Sequence, residues 1–552
     1  MLVLALLVGL AAGGAASPSA AGAQVSLVPS NHPVYAWLRR QRVQGTLTFF
    51  AYEDMPLSRG RIQEALRALE PWRDRLGRID RDLLDAYRRE FLLEVDRPTR
   101  TLLDAGPAIW FEDREPHLFA YVGDAGNAVG DLFGGIGWMS VEDSFLEVEG
   151  QEARAGVPFL GGRLYGTLYD HVGFHLESSD AGTIGAPEVL RYDPLWGKSE
   201  DVLSQNEGAS LDAQAMISVQ HGVLSLHLAR ANARFGSSPD AAVLMSRNPP
   251  HYDWVRLNVE FDRFRYTFLH GSLTGPVRED SIPELPGETS RVSIARWFAL
   301  HRFQVQPWDW LQLGLYEMVT YSNRGVDLAY INPLYPIRGA ELDGGDRDNG
   351  FLGLDATVRP FPGVELYGEL LIDDLDARRL GSAGDKDSQF AVQGGVVVSA
   401  PTGTDLYLDY ARVDPKVYTH RFRLNAFENR EFTVGHPIGP NADQIAVGLR
   451  QWLPWRGWVR GRVARVRKGL NVLDEDGNVI FDAGGDVTFS SGPERGEFLA
   501  GDLQRWIDLE FEAQLEPTRG IQLRLGYRHR SVREGTRTPD PRILEARLTI
   551  GF

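Results

Sequence analysis

Carboxylates recur at spacings that could do chemistry. Glu365, Glu369 and Asp373 share one face of an extended segment, and Asp508 shares a face with Glu510 on another. Same-face strand neighbours such as Asp508 and Glu510 stand about 6–7 Å apart, which overlaps the separation between a glycosidase acid and its base. A Glu-rich polar strand face produces the same spacing without catalysis, and Arg524 and Arg528 extend such a face elsewhere. We therefore expect Glu365, Glu369, Asp373, Asp508, Glu510, Arg524 and Arg528 to line a polar lumen, and we expect no catalytic residue. The chain carries no Gly-x-Ser-x-Gly elbow, paired-histidine zinc helix or phosphate loop. His171 and His175 would share a strand face but stand too far apart for one metal. Asp474-Glu475-Asp476-Gly477-Asn478 lacks the remaining ligands of a calcium loop and reads as an acidic hairpin tip. No metal and no cofactor are expected.

Sugar binding is the other chemistry in reach, because aromatic faces stack on pyranose rings while acids and arginines take the polar groups. Tyr192, Trp196, Tyr252 and Trp254 lie in or beside predicted external loops, and Tyr330 and Tyr335 lie in a long central one with Arg324, Asp346 and Asp348. These are the candidate polysaccharide contacts, with loop packing as the competing role for each aromatic. Trp308, Trp310, Trp452, Trp455 and Trp458 sit by short turns and read as a membrane-interface girdle.

The elements that must position these residues are strands. In the last stretch Leu544, Ala546, Leu548, Ile550 and Phe552 alternate with Glu545, Arg547 and Thr549. The same period of two recurs at 364–373, 507–515 and 521–530. Short turns near residues 170, 221, 262, 307–309, 360–363, 401–403, 454–457 and 517–520 alternate with long polar loops. Such asymmetry marks an outer-membrane barrel, and about eight short turns imply about eighteen antiparallel strands.

Upstream the pattern changes. Residues 1–23, with an apolar run from Leu2 to Ala12 and a small-residue exit at Ala21-Gly22-Ala23, read as a secretory signal peptide. Residues 24–100 read as a periplasmic helical bundle. One helix is expected around 34–43, one behind the N-cap Ser58 with Ile62, Ala65, Leu66 and Leu69, and one carrying Ile79, Leu83, Leu84, Tyr87 and Phe91. Residues 101–132 read as linker and a possible first strand, and 133–552 as the barrel.

Composition narrows the partners. A formal charge of -17 argues against nucleic acid, and the absence of cysteine removes disulfides and thiol chemistry. An aromatic content of 10% with 59 glycines suits a barrel with interfacial girdles.

Three motifs then carry a resemblance. They are Phe50-Ala51-Tyr52-Glu53-Asp54-Met55-Pro56-Leu57-Ser58-Arg59, the run from Asp327 to Pro336 with Gly345-Asp346-Arg347-Asp348-Asn349 after it, and the strand from Glu365 to Asp374. Together with the architecture, these make the chain resemble the Wzi-type capsule assembly proteins over essentially its whole mature length. The resemblance implies an eighteen-stranded outer-membrane barrel with a periplasmic helical bundle, acting without catalysis as a lectin-like tether for capsular or other surface polysaccharide. Expected partners are that polysaccharide, outer-membrane lipid, and the barrel-assembly machinery through the C-terminal strand ending in Phe552, for a monomeric protein. A porin-type solute channel is the alternative, and a barrel enzyme acting on lipid or glycan comes third.

Overall fold

The computed structural model describes residues 24–91, 117–146, 149–199, 210–281, 289–345, 347–373, 389–491 and 496–551. The stretch expected to be a signal peptide lies outside the described residues, as does Phe552.

The alternating segments form one wall. Its strands are β1 Gly126–Glu142, β2 Glu152–Leu168, β3 Val172–Ala181, β4 Ser210–His221, β5 Leu224–Ala231 and β6 Tyr252–Phe261. Then come β7 Phe264–Ser281, β8 Thr289–Trp308, β9 Leu311–Ser322, β10 Asn349–Phe361, β11 Val364–Asp373 and β12 Gln389–Ala400. The last are β13 Thr404–Val413, β14 Ala442–Trp452, β15 Trp458–Leu470, β16 Asp502–Thr518, β17 Ile521–Glu534 and β18 Arg542–Gly551. Each pairs antiparallel with the next, and β18 closes on β1 with Ile550 opposite Gly134 and Arg542 opposite Glu142. The result is a closed barrel of eighteen strands, to which the short strand Phe119–Gly123 adds by pairing antiparallel with Gly126–Gly130.

The wall starts at Gly126, upstream of Phe133. Glycines at 126, 130, 134, 135 and 137 carry no side chain to signal the alternation. Gly135 is required, because a Cβ there would collide with the Leu548 carbonyl of β18 and the Phe159 ring.

Short turns at 169–171, 222–223, 262–263, 309–310, 362–363, 401–403, 453–457 and 519–520 gather on one rim, and the longer connections on the other. Outward side chains are apolar. Ile136, Leu160, Leu315, Leu354, Leu366, Leu509, Phe511 and Leu548 are 39–67% exposed, a band only lipid would cover without cost. At the short-turn rim Trp308 and Trp310 stack at 5.4 Å and stand exposed with Trp455. Trp452 and Trp458 do not join this girdle. They are buried among the N-terminal helices, so their expected interfacial role is corrected to packing.

Those helices are α1 Pro33–Val43, α2 Arg59–Leu69 and α3 Arg78–Phe91. Pro33 opens α1 after the His32 cap, and Ser58 Oγ accepts from the Arg61 amide at 3.3 Å to start α2. Their apolar faces share one core, with Trp37, Leu38, Ile62, Leu66, Leu83, Leu84, Tyr87 and Phe91 buried. The helices do not stand clear of the wall. They occupy the mouth of the barrel on the short-turn rim, where Gly363 donates its amide to Val43 O at 2.7 Å and Arg456 pairs with Glu90 at 3.0 Å. Among the described residues no helix is long and apolar enough to cross a membrane.

Candidate functional site

The tip of α1 shows how the mouth is held. A surface helix would turn its charges to water, yet Arg39, Arg40, Gln41 and Arg42 are all buried, at 3%, 1%, 0% and 1% exposure. Each cation has an anion. Arg39 meets Glu365 at 2.8 Å, Arg40 meets Asp80 at 3.0 Å and Asp405 at 2.6 Å, and Arg42 meets Glu53 at 2.7 Å and Glu365 at 2.8 Å. Burial alone would raise the Glu53 carboxyl, but Arg42, with hydrogen bonds from Arg42 and Gln312, brings it down to about 2. Beside it Asp54 accepts from Arg256 and Arg265, both at 3.1 Å, and from Thr267 at 3.0 Å. The Glu53-Asp54 pair thus fastens the N-terminal segment to the lumen face of β6, β7 and β9.

Segments from the long-loop rim meet it inside the lumen. Arg234 and Phe235 pair as a short antiparallel ladder with Met55 and Asp54, and Ser238 Oγ donates to Asp409 at 2.8 Å. The 414–441 loop follows, with the Tyr418 amide on Asp373 at 2.8 Å and the Tyr418 hydroxyl on Val243 O at 2.6 Å. Phe235, Val243, Leu244, Met245, Tyr418, Phe427 and Val434 make a core against Tyr316, Phe351 and Leu371 of the wall.

The filling is one-sided. Lumen-facing residues of β2 to β15 are mostly buried, whereas those of β16, β17, β18 and β1 are largely half-exposed at mid-strand. On or beside that second side lie Arg163 with Glu177 at 2.5 Å, Asp508 with Arg530 at 2.7 Å, Glu510 with Arg462 at 3.0 Å and Glu512 with Arg524 at 3.5 Å. Arg528 approaches Glu545 at 3.6 Å. Residues 187–199 cover this side toward the long-loop rim, through Asp193 on Arg547 and the Tyr192 carbonyl on Arg528.

Between α1, the inserted loop and the wall a cavity of about 130 Å³ remains. Arg39, Arg40, Arg234, Arg247, Arg450 and Arg460 line it with Tyr52, Tyr407, Trp458 and a single carboxylate, Asp405. Tyr52 lies between Arg39, 4.4 Å from its ring centre, and Arg234, 4.8 Å away. Burial works to raise the Tyr52 phenol, but Arg234, Arg39 and Arg247 outweigh it and pull it down to about 8. Burial and the neighbouring Arg234 lower the Arg247 guanidinium to about 10. Arg247 lines the cavity with an exposed side chain, enclosed by surrounding protein that includes Arg234.

The predicted site residues scatter. Glu365, Glu369 and Asp373 do point inward but do not meet water. They are 0%, 4% and 1% exposed, covered by Arg39 and Arg42, by the Ser237 amide and by Tyr418 respectively. Asp508, Glu510, Arg524 and Arg528 line the half-exposed side. Trp196 is buried with Phe159 at 5.4 Å and Arg547 at 4.7 Å against its ring, so it has no free face for a sugar. Tyr252 and Trp254 also turn into the core, donating to Ala233 O at 3.2 Å and Ala231 O at 3.0 Å. Tyr192 is half-buried and donates to Asp143 at 2.9 Å.

The central loop lies on the outside of the wall. Val319 and Tyr321 share a face of β9 with the lipid-facing Leu313 and Leu315, and α4 Leu328–Ile331 with α5 Ile337–Asp343 covers them. Tyr330 is therefore buried, 4.9 Å from the Tyr321 ring, with its hydroxyl on Asp348 at 2.8 Å. Arg324 clamps the same carboxylate at 3.0 and 2.5 Å. Tyr335 stands exposed, its hydroxyl on Asp343 at 2.7 Å, and Asp346 lies outside the described residues. For Trp196, Tyr252, Trp254, Tyr330 and Asp348, direct ligand contact is thus corrected to packing and loop fastening.

Sequence reasoning missed the cavity arginines. One signal was available: Leu38-Arg39-Arg40-Gln41-Arg42 puts charge all round a helix that should have kept one apolar face. The acidic turn at 474–478 is a hairpin tip, with Asp474 Oδ1 accepting from the amides of Asp476 and Asn478 at 3.0 and 2.8 Å. Among the described residues no group of three or more metal-binding side chains forms.

This architecture can be set beside known proteins. Among solved structures, Wzi of Escherichia coli, described as an outer-membrane protein involved in group 1 capsule assembly and a carbohydrate-binding β-barrel, superposes with a TM-score of 0.58 at 12% identity, covering 96% of this chain and 99% of that one. OpdQ of Pseudomonas aeruginosa gives 0.40 at 10% identity, covering 78% of this chain and 98% of its own, and OccAB4 of Acinetobacter baumannii gives 0.41 at 9%, covering 77% and 98%. No curated protein matches by sequence. The family model described as capsule assembly protein Wzi matches residues 153–537, most of the chain, and the protein therefore belongs to the Wzi family of outer-membrane capsule assembly barrels.

Proposed function

We propose that this protein holds exported surface polysaccharide at the outer face of the outer membrane, as a lectin-like attachment protein with no catalytic step. The observation that carries the reading is the stopper packed against one side of the lumen, with residues 187–199 covering the other side toward the long-loop rim. A conduit for solutes needs a continuous aqueous path, whereas here α1, the Glu53-Asp54 segment and the 232–251 and 414–441 loops pack against β5 to β14. A barrel stoppered from both rims is suited to present a surface. The short-turn rim then faces the periplasm, the long loops face outward, and residues 1–23 direct export. The carbohydrate binding ascribed to the Escherichia coli relative supports the same reading. Of the aromatic candidates, Tyr335 and Tyr192 keep surface open to a glycan on that side.

Two measurements on purified protein test it. In a planar bilayer the reading expects no steady porin-size conductance, and in a pull-down it expects retention of the host's surface polysaccharide. A large steady conductance with no polysaccharide retained would overturn it in favour of a solute channel.

A further inference from the structure

The cavity between α1 and the inserted loop has more cations than its acids can serve. Arg39 and Arg460 are committed to Glu365 and Asp240, and Asp405 is taken by Arg40 at 2.6 Å and by Trp452 Nε1 at 2.7 Å. Among the described residues no carboxylate forms an ion pair with Arg234, Arg247 or Arg450, although all three face the same cavity. Arg234 is 2% exposed and its Nη1 has no hydrogen-bond partner, as is true of Arg450 Nε. Among the described residues Arg247 donates to the Ser30 carbonyl, at 3.0 Å, and it lines the cavity.

Like charges held together in one pocket are costly, and an oxyanion that accepts from their forks lowers the cost. Of the other walls, Tyr407 offers a hydroxyl held by Arg460 at 3.2 Å, while the Tyr52 ring lies against Arg39 and Arg234 and the Trp458 ring against Arg450. About 130 Å³ admits one acidic group with its nearest atoms, not a polymer. Partly exposed residues from Ser30 to Pro33, with Ala36, line it on the side of α1, so access is from the short-turn rim.

We propose that this cavity is an oxyanion-binding site, taking the carboxylate of a sugar acid or a phosphate through Arg234, Arg247 and Arg450. The site is separate from the outward loops that the tethering role uses, so either reading can fail alone. Calorimetry on the detergent-solubilised full chain at low salt, with inorganic phosphate, glucuronate and glucose as probes, decides it. Phosphate, glucuronate or both bind, which tells the two sources apart, and glucose does not. Arg247→Gln weakens that binding at least tenfold while the thermal unfolding temperature holds or rises, Arg247→Lys keeps part of it, and Arg542→Gln, exposed on β18 and paired with Glu142, leaves it unchanged. Should Arg247→Gln fail to fold, Arg450→Gln reads the same loss. Neither anion binding at millimolar concentration, or binding equally strong in Arg247→Gln, would overturn the proposal.

Discussion

The two sides of the lumen are built by one rule and end in opposite physical states. From β5 to β14 the inward polar residues are sealed under the plug, as with Arg302 and Asp355 at 2.8 Å, both nearly inaccessible. Around β16 to β18 the inward pairs keep water, as with Asp508 and Arg530 at 2.7 Å, side chains 17% and 31% exposed. Both sides alternate apolar and polar at every second residue. Solvation sets what an ion pair is worth. A sealed pair is costly to break because its survivor is stranded, whereas a hydrated pair loses little. The sealed side therefore fixes the stopper in one position, and the wet side leaves space that other molecules can use.

Substitutions that expose the contrast differ in size. Arg42→Met strands Glu53 and weakens the hold on Glu365, and we expect about 3–5 kcal/mol of lost stability, read as a lower unfolding temperature and faster proteolysis within residues 24–91. Trp196→Ala opens a cavity beside Phe159 at a comparable cost of about 3–5 kcal/mol. It should leave glycan retention intact in whatever protein remains folded, since a buried ring does not stack on sugar. Arg530→Gln on the wet side should cost no more than about 1 kcal/mol, and a loss as large as that of Arg42→Met would abolish the distinction between the sides.

The smallest effect is a pH dependence. Tyr52 is faced by Arg39 from α1, Arg234 and Arg247 from the inserted loop and Arg450 from β14, with Glu53 beside it in sequence and tied to Arg42. Its phenol is lowered to about 8, below the ordinary value of 10, so the charged form is the one the fold favours. As pH rises through about 8 the phenolate forms and neutralises part of the cavity's charge, and affinity for glucuronate or phosphate should fall. Tyr52→Phe should flatten that fall. A persisting inflection near pH 8 in the variant would assign it to another group.

Much of the wall was legible because its signal is local. Leu544 to Ile550 against Glu545 to Thr549 states which side meets lipid, Gly363, Gly403 and Gly520 supply the positive φ that the short turns use, and Ser58 marks a helix start. What fills the lumen was not legible, because the partners are remote in sequence. Nothing beside Glu365 announces that Arg39 and Arg42 will bury it, and nothing beside Trp196 announces Phe159 and Arg547. The same limit misplaced the aromatic candidates. A Tyr or Trp in a long loop looks available to sugar until the loop is seen folding inward, as with Trp196, or back over the outer wall, as with Tyr330.

We propose that the protein retains polymer made and exported by others. This is tested most directly by deleting its gene in the host and measuring polysaccharide in the cell-bound and released fractions. Total polymer should stay unchanged with the cell-bound share falling and the medium share rising in step, restored by the wild-type chain. Loss of total polymer, or an unchanged cell-bound share, would contradict it.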